Sequence, residues 1–175
     1  KGGAISSNGG ISLHGLKIYN NSSQYEGNAI YFNGSNDTSI VVQCIIYNNT
    51  DASDAYPSQA IALEYGSKVM ITNSNIINNA SVGIKMQHSN DYLSLINTII
   101  YGNAESFIQY AGVLESNNNL IQGDFGGANN IDLNPLFIDA DNGNYHLSDY
   151  SPAIGAGTTT GAPTTDIEGN PRPNP

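Results

Sequence analysis

The 175 residues contain no tryptophan, a single cysteine and only five bases, set against 15 acids. One cysteine, Cys44, excludes a disulfide framework and a cysteine-rich metal site. It stands in the apolar run Val41-Val42-Gln43-Cys44-Ile45-Ile46, where a buried, inert thiol is expected. The five bases are Lys1, Lys17, Lys68, Lys85 and Arg172. They are too few for the basic stripe that a nucleic acid or an anionic membrane surface attracts. No apolar run approaches the roughly 20 residues needed to span a bilayer, so no membrane insertion is expected. Charge of either sign is scarce, at 11% of residues. The acidic surplus, a net −10, suits solubility or divalent cations, with solubility the simpler reading. No cofactor is expected, and Ca²⁺ is the only one the composition leaves open.

What the chain has in abundance is asparagine, 25 residues, and it recurs at fixed places. The phrases Lys17-Ile18-Tyr19-Asn20-Asn21, Ile45-Ile46-Tyr47-Asn48-Asn49, Asn75-Ile76-Ile77-Asn78-Asn79 and Ile99-Ile100-Tyr101-Gly102-Asn103 align, with Asn119-Leu120-Ile121-Gln122-Gly123 as a weaker copy. A small residue followed by isoleucine runs in phase: Ala4-Ile5, Ala29-Ile30, Ala60-Ile61 and Gly83-Ile84, with Phe107-Ile108 as a looser match. Between them lies a short apolar alternation: Ile11-Ser12-Leu13, Ile40-Val41-Val42, Val69-Met70-Ile71 and Leu93-Ser94-Leu95. Runs this short, rich in Ile, Val and Tyr and broken by Gly and Asn, are strands. Alone they bury nothing. Three per repeat, wound into a coil and stacked on the next coil, make a core. Ile5, Ile30, Ile61, Ile84 and Ile108 are expected in one inward column. The doubled asparagines suit a sharp left-handed corner whose side chains form a ladder along the axis.

These phrases resemble the right-handed parallel β-helix repeats of the pectate-lyase-like superfamily. The resemblance covers Lys1 to about Gly123, about five coils of three short strands, and implies an all-β solenoid. The last fifty residues differ. Asn134-Pro135-Leu136-Phe137-Ile138-Asp139, Asn144-Tyr145-His146-Leu147, Ser151-Pro152-Ala153-Ile154-Gly155-Ala156-Gly157 and Thr165-Asp166-Ile167-Glu168-Gly169-Asn170-Pro171-Arg172-Pro173 are similar to the end module of bacterial surface β-helix proteins. Such modules precede anchoring or sorting domains. Residues 1–123 are therefore read as coils and 124–175 as cap and linker. Phe137, Tyr145, Leu147 and Ile154 are expected to pack on the last coil. A chain that starts without Met, and without a matching cap at Lys1, points to preceding coils.

The superfamily includes polysaccharide lyases and glycoside hydrolases, so catalytic sets matter. No Asp-Asp pair occurs, and His14-Gly15 stands alone. No serine–histidine–aspartate order with a nucleophile elbow, no phosphate loop and no zinc spacing is found. Asp139-Ala140-Asp141-Asn142-Gly143-Asn144 begins like a calcium loop, but its glycine is one place early and no acid closes it, so it reads as a turn. The insertion from Asn49 to Ser58, with Asp51, Asp54, Tyr56 and Pro57, is expected to project. Two groups are candidates for contacting carbohydrate. Tyr19, Tyr47 and Tyr101 share one place in the coil and face outward, where they stack on sugars or on each other. Glu64 and Lys85 are expected to align on neighbouring coils, with Tyr31 or Phe32 one coil earlier, as an ion pair on the surface.

The sequence thus points to a secreted or cell-surface protein: a stalk, adhesin or glycan-contacting scaffold. Its expected partners are a polysaccharide or cell-surface glycan and, through sequence outside this chain, a secretion or anchoring system. The alternative is a polysaccharide lyase or glycoside hydrolase whose active site lies mostly beyond these residues.

Overall fold

A computed structural model of the chain describes residues 1–34, 36–52, 58–79, 82–123 and 126–172. It is a three-sided solenoid of five coils. Sheet A stacks Ile5–Ser7, Ile30–Asn33, Gln59–Glu64, Val82–Met86 and Glu105–Gln109. Sheet B stacks Ser12–His14, Thr38–Val42, Lys68–Thr72, Tyr92–Ile96 and Val113–Asn117. Sheet C stacks Lys17–Tyr19, Ile45–Tyr47, Asn75–Ile77, Ile99–Tyr101 and Leu120–Ile121. All pairings within these sheets are parallel, so each coil lies about 4.8 Å above the next. The all-β parallel solenoid expected from the repeats is what forms. Of the projecting loop, Asp54, Tyr56 and Pro57 lie outside the described residues.

Register explains the core. Ile18, Ile46, Ile76, Ile100 and Ile121 form one continuous column in sheet C. In sheet A the column is Ile5, Ile30, Ile61, Ile84 and Phe107. This corrects the expected fifth member: Ile108 pairs with outward-facing Lys85. The small residue sets the phase. A Cβ placed on Gly83 would come within 2.6 Å of the Ser106 carbonyl oxygen, so the coil-five phrase is Ser106-Phe107.

Each asparagine doublet divides its labour. The first residue takes the left-handed backbone of the corner: Asn20, Asn48, Asn78 and Gly102 have φ of 55°, 52°, 50° and 71°. The second builds the ladder. Asn21, Asn49 and Asn79 each direct both their backbone N–H and their side-chain Nδ2 at the Oδ1 of the asparagine one coil on, at 2.9–3.0 Å. A shorter ladder lies at the corner between sheets B and C. There the Thr98 N–H donates to Asn119 Oδ1 and the Asn119 N–H to Asn130 Oδ1, both at 2.9 Å. Asn130 belongs to a partial sixth turn, where Ala128 and Ile131 pair with Asn117 and Leu120.

The start of the C-terminal module continues the last coil through Ala128 and Ile131, but Tyr145, expected to pack there, lies elsewhere. Phe137–Asp139 and Asn144–Leu147 form an antiparallel pair joined by a 3₁₀ turn, Ala140–Asn142. Tyr145 packs edge-on against Tyr47 of the second coil, with ring centroids 5.1 Å apart, and against Phe137 at 5.4 Å. The chain then runs back along the solenoid's side. Asn118 of coil five donates to the Ala156 carbonyl, Asn97 of coil four to that of Thr158, and Gln43 of coil two to that of Thr165. The module lies over the outside of sheet C because that face is apolar. Ile77 points away from the core and is still fully buried. Ile154, also expected to pack on the last coil, remains 57% exposed.

Candidate functional site

Tyr19, Tyr47, Ile77 and Tyr101 are in register on the outside of sheet C. Tyr19 and Tyr47 stack, 4.9 Å apart and within 12° of parallel, and Ile77 separates them from Tyr101. Tyr47 is taken up by Tyr145 of the module. Of the three, Tyr19 presents the freest ring, at 48% exposed.

The outer face of sheet A is richer. Alternation along the strands turns Tyr31 and Lys85 outward, both in register with Ala62. Glu64 stands two residues beyond Ala62 and pairs with Asn33, so it does not align with Lys85 as expected from the sequence. The two join a common network instead. The Lys1 Nζ lies 2.8 Å from Glu26 Oε2 and 2.9 Å from Glu64 Oε2. Lys85 Nζ lies 3.2 Å from Glu26 Oε1, and the Tyr31 hydroxyl donates to Glu64 Oε2 at 2.8 Å. Residues of coils one to four are thereby tied together through long side chains, which bridge offsets that backbone register forbids.

Electrostatics pushes the two carboxyls apart. Burial and the adjoining Glu26 raise the Glu64 pKa, against the opposing effect of Lys1 and Tyr31. Burial would raise Glu26 too, but hydrogen bonds from Glu64 and Lys1 and the charge of Lys85 outweigh it and hold Glu26 down at about 2. Of the two, Glu64 is thus the carboxyl that takes up a proton more readily. Burial and the bond to Glu64 push the Tyr31 hydroxyl up to about 12. Burial would lower the Lys1 ammonium, but its bonds to Glu26, Glu64 and Tyr31 reverse this and raise it.

Aromatic rings rim the network. Lys1 Nζ lies 5.0 Å from the Tyr31 ring centre and 5.9 Å from that of Tyr65, and Lys85 Nζ lies 5.7 Å from Tyr110. Tyr65 is 59% exposed and stacks on His88 at 4.5 Å. Its φ is +55°, a left-handed backbone that a bulky side chain adopts at a cost of about 1–2 kcal/mol. The carboxylate of Asp91 holds this strained turn. Its Oδ1 accepts the Gly66 and Ser67 N–H groups at 2.8 and 3.1 Å, and its Oδ2 those of Gln87 and His88 at 3.1 and 2.8 Å. One buried aspartate therefore positions both members of the Tyr65–His88 stack.

Sequence reasoning found Glu64 and Lys85 but missed Lys1, Glu26, Tyr65, His88 and Asp91. Only Tyr65 left a trace. It occupies the corner where the preceding coil has Gly34, so a tyrosine stands where the backbone asks for glycine.

Strand stacking, inward columns and asparagine corners are matched by one family model, described as a right-handed β-helix region, over residues 2–139. No curated protein and no solved structure shows a significant match. With the match covering more than half of its length, the chain belongs to the right-handed β-helix family.

Proposed function

We propose that this is a secreted or cell-surface β-helix scaffold that contacts glycan through the outer face of sheet A, with Tyr65 as its platform. The observation that carries this reading is the strained, exposed Tyr65, stacked on His88 beside the Lys1–Glu26–Tyr31–Glu64–Lys85 network. Backbone strain in an exposed aromatic is retained where the ring's position matters. A flat ring takes the apolar face of a sugar, and neighbouring carboxyl and ammonium groups take its hydroxyls. Tyr19 offers a second exposed ring on sheet C. In this reading residues 124–175 form an end module that links the coils to an anchoring or secretion system.

Screening on a glycan array, followed by calorimetric titration, tests it. At least one polysaccharide should bind saturably. Tyr65→Gly should weaken that binding tenfold or more while changing stability by no more than about 1 kcal/mol, since relief of strain offsets the lost stack. Absence of any glycan ligand, or binding indifferent to Tyr65→Gly, would refute the proposal.

One observation favours a second reading, cleavage of the glycan. Two adjoining carboxyls whose pKa values are driven apart are the requirement for acid and base roles. Glu64, however, is only 4% exposed beneath Lys1 and Tyr31, which favours contact over turnover. New reducing or unsaturated ends after incubation with the bound polysaccharide, lost in Glu64→Gln, would decide for cleavage.

A further inference from the structure

A cleft of about 840 Å³ separates the C-terminal module from the corner between sheets B and C. That volume is typical of ligand sites. Its floor includes the outward side chains Ile45 and Ile99, and its wall is the row of corner residues Gln43, Asn73, Asn97 and Asn118. All four wall residues have left-handed backbones, with φ between 50° and 56°, so their carboxamides stand in one file, a coil apart.

Three of the four read polypeptide backbone. Asn97 shows the mode in full: its Nδ2 donates to the Thr158 carbonyl at 2.7 Å, and its Oδ1 accepts the Thr158 N–H at 2.8 Å. Asn118 and Gln43 donate to the carbonyls of Ala156 and Thr165. Asn73 is different. It lies one coil from Asn97 in the same conformation, yet its Oδ1 is buried with no hydrogen-bond partner among the described residues. Between Thr158 and Thr165 the module turns on itself, through the Ala162 N–H to Thr159 carbonyl bond, and passes Asn73 by. Leaving a buried acceptor without a donor is costly, and a peptide N–H that enters the cleft and reaches it recovers that cost.

We propose that the cleft at Asn73 binds an extended peptide segment of a partner polypeptide, with its backbone paired to Asn73 as Thr158 pairs to Asn97. Aliphatic side chains of the peptide rest on Ile45 and Ile99. Among the described residues no lining side chain is aromatic, so none of them offers a sugar a ring to stack on. A net charge of −10 on the chain selects against acidic peptides. This site is separate from the sheet A face and does not depend on its role.

The test is nuclear magnetic resonance of the side-chain amides, with the whole chain. The probe is a library of acetylated tetrapeptide amides built from Ala, Val, Leu, Thr and Lys. The Asn73 amide signals should move saturably while those of Asn49 and Asn79 stay fixed. Asn73→Gly, which suits the left-handed backbone, should keep the fold and weaken binding at least tenfold. An N-acetylated trisaccharide should leave Asn73 unmoved. The inference is overturned if the library produces no saturable shift, if Asn73→Gly binds as well as wild type, or if the trisaccharide competes for the site.

Discussion

Replacing Asn79 by alanine removes four side-chain hydrogen bonds from the middle of the asparagine ladder. Its Oδ1 accepts the Asn49 N–H and the Asn49 Nδ2, both at 3.0 Å. Its Nδ2 donates to Asn103 Oδ1 at 2.9 Å and to the Ile46 carbonyl at 3.2 Å. The losses are unequal. Asn49 Nδ2 keeps the Ile18 and Tyr47 carbonyls, and Asn103 Oδ1 keeps the Asn79 N–H. The Asn49 N–H keeps nothing, and Asn49 is fully buried. An orphaned buried donor costs about 1–3 kcal/mol, and each of the other lost bonds about 1 at most after relaxation. Asn79→Ala should therefore destabilise by about 2–4 kcal/mol, a large share of the stability of an ordinary domain. Asn48 is the control. It holds the other place in a doublet, with φ of 52° and an exposed side chain. Glycine suits that backbone, so Asn48→Gly should stay within about 0.5 kcal/mol of wild type. Urea denaturation followed by circular dichroism measures both. If Asn79→Ala lies within 0.5 kcal/mol of wild type, or if Asn48→Gly is equally damaging, the ladder is not what holds the corner.

Three further outcomes are expected. Asp91→Ala leaves four backbone N–H groups facing an empty site and should cost about 3–5 kcal/mol, read by the same denaturation. Glu26 is depressed from about 4.5 to about 2, so its contribution is present above 4.5 and disappears as pH falls through 2. Stability measured across that window should show wild type converging on a less stable Glu26→Gln as the pH drops. Parallel curves would rule out the ion-pair network. Tyr145→Ala removes the ring that packs on Tyr47, and should open the module to limited proteolysis between residues 132 and 172 while the coils resist.

The coils were legible because each repeats the same local chemistry: a small residue, an inward isoleucine, a left-handed corner. Where two apolar residues stood side by side, as at Phe107-Ile108, periodicity alone could not say which faced in, and the small residue before Phe107 decided it. The sheet A network was illegible for a different reason. Successive ladder asparagines are 28, 30 and 24 residues apart, so loops of unequal length lie between coils. Glu26 comes from such a loop, and Glu64 reaches its partners from two residues out of register with Lys85. The path of the C-terminal module left no pattern to read either. Its clips are backbone groups of Ala156, Thr158 and Thr165, which any sequence carries.

The asparagine ladder also has a direction. Between asparagines every rung donates toward the next coil, while Nδ2 of Asn49, Asn79 and Asn103 also donates to the Ile18, Ile46 and Ile76 carbonyls of the preceding coil. The three rungs donated by Asn21, Asn49 and Asn79 therefore share one sense along the axis, as peptide hydrogen bonds do in an α-helix. The solenoid carries a small electrical polarity in its side chains: partial negative charge at the Asn21 end and partial positive charge at the Asn103 end. A cation approaching the first coil and an anion approaching the last would each meet a favourable field, set by orientation alone in a column without a charged residue.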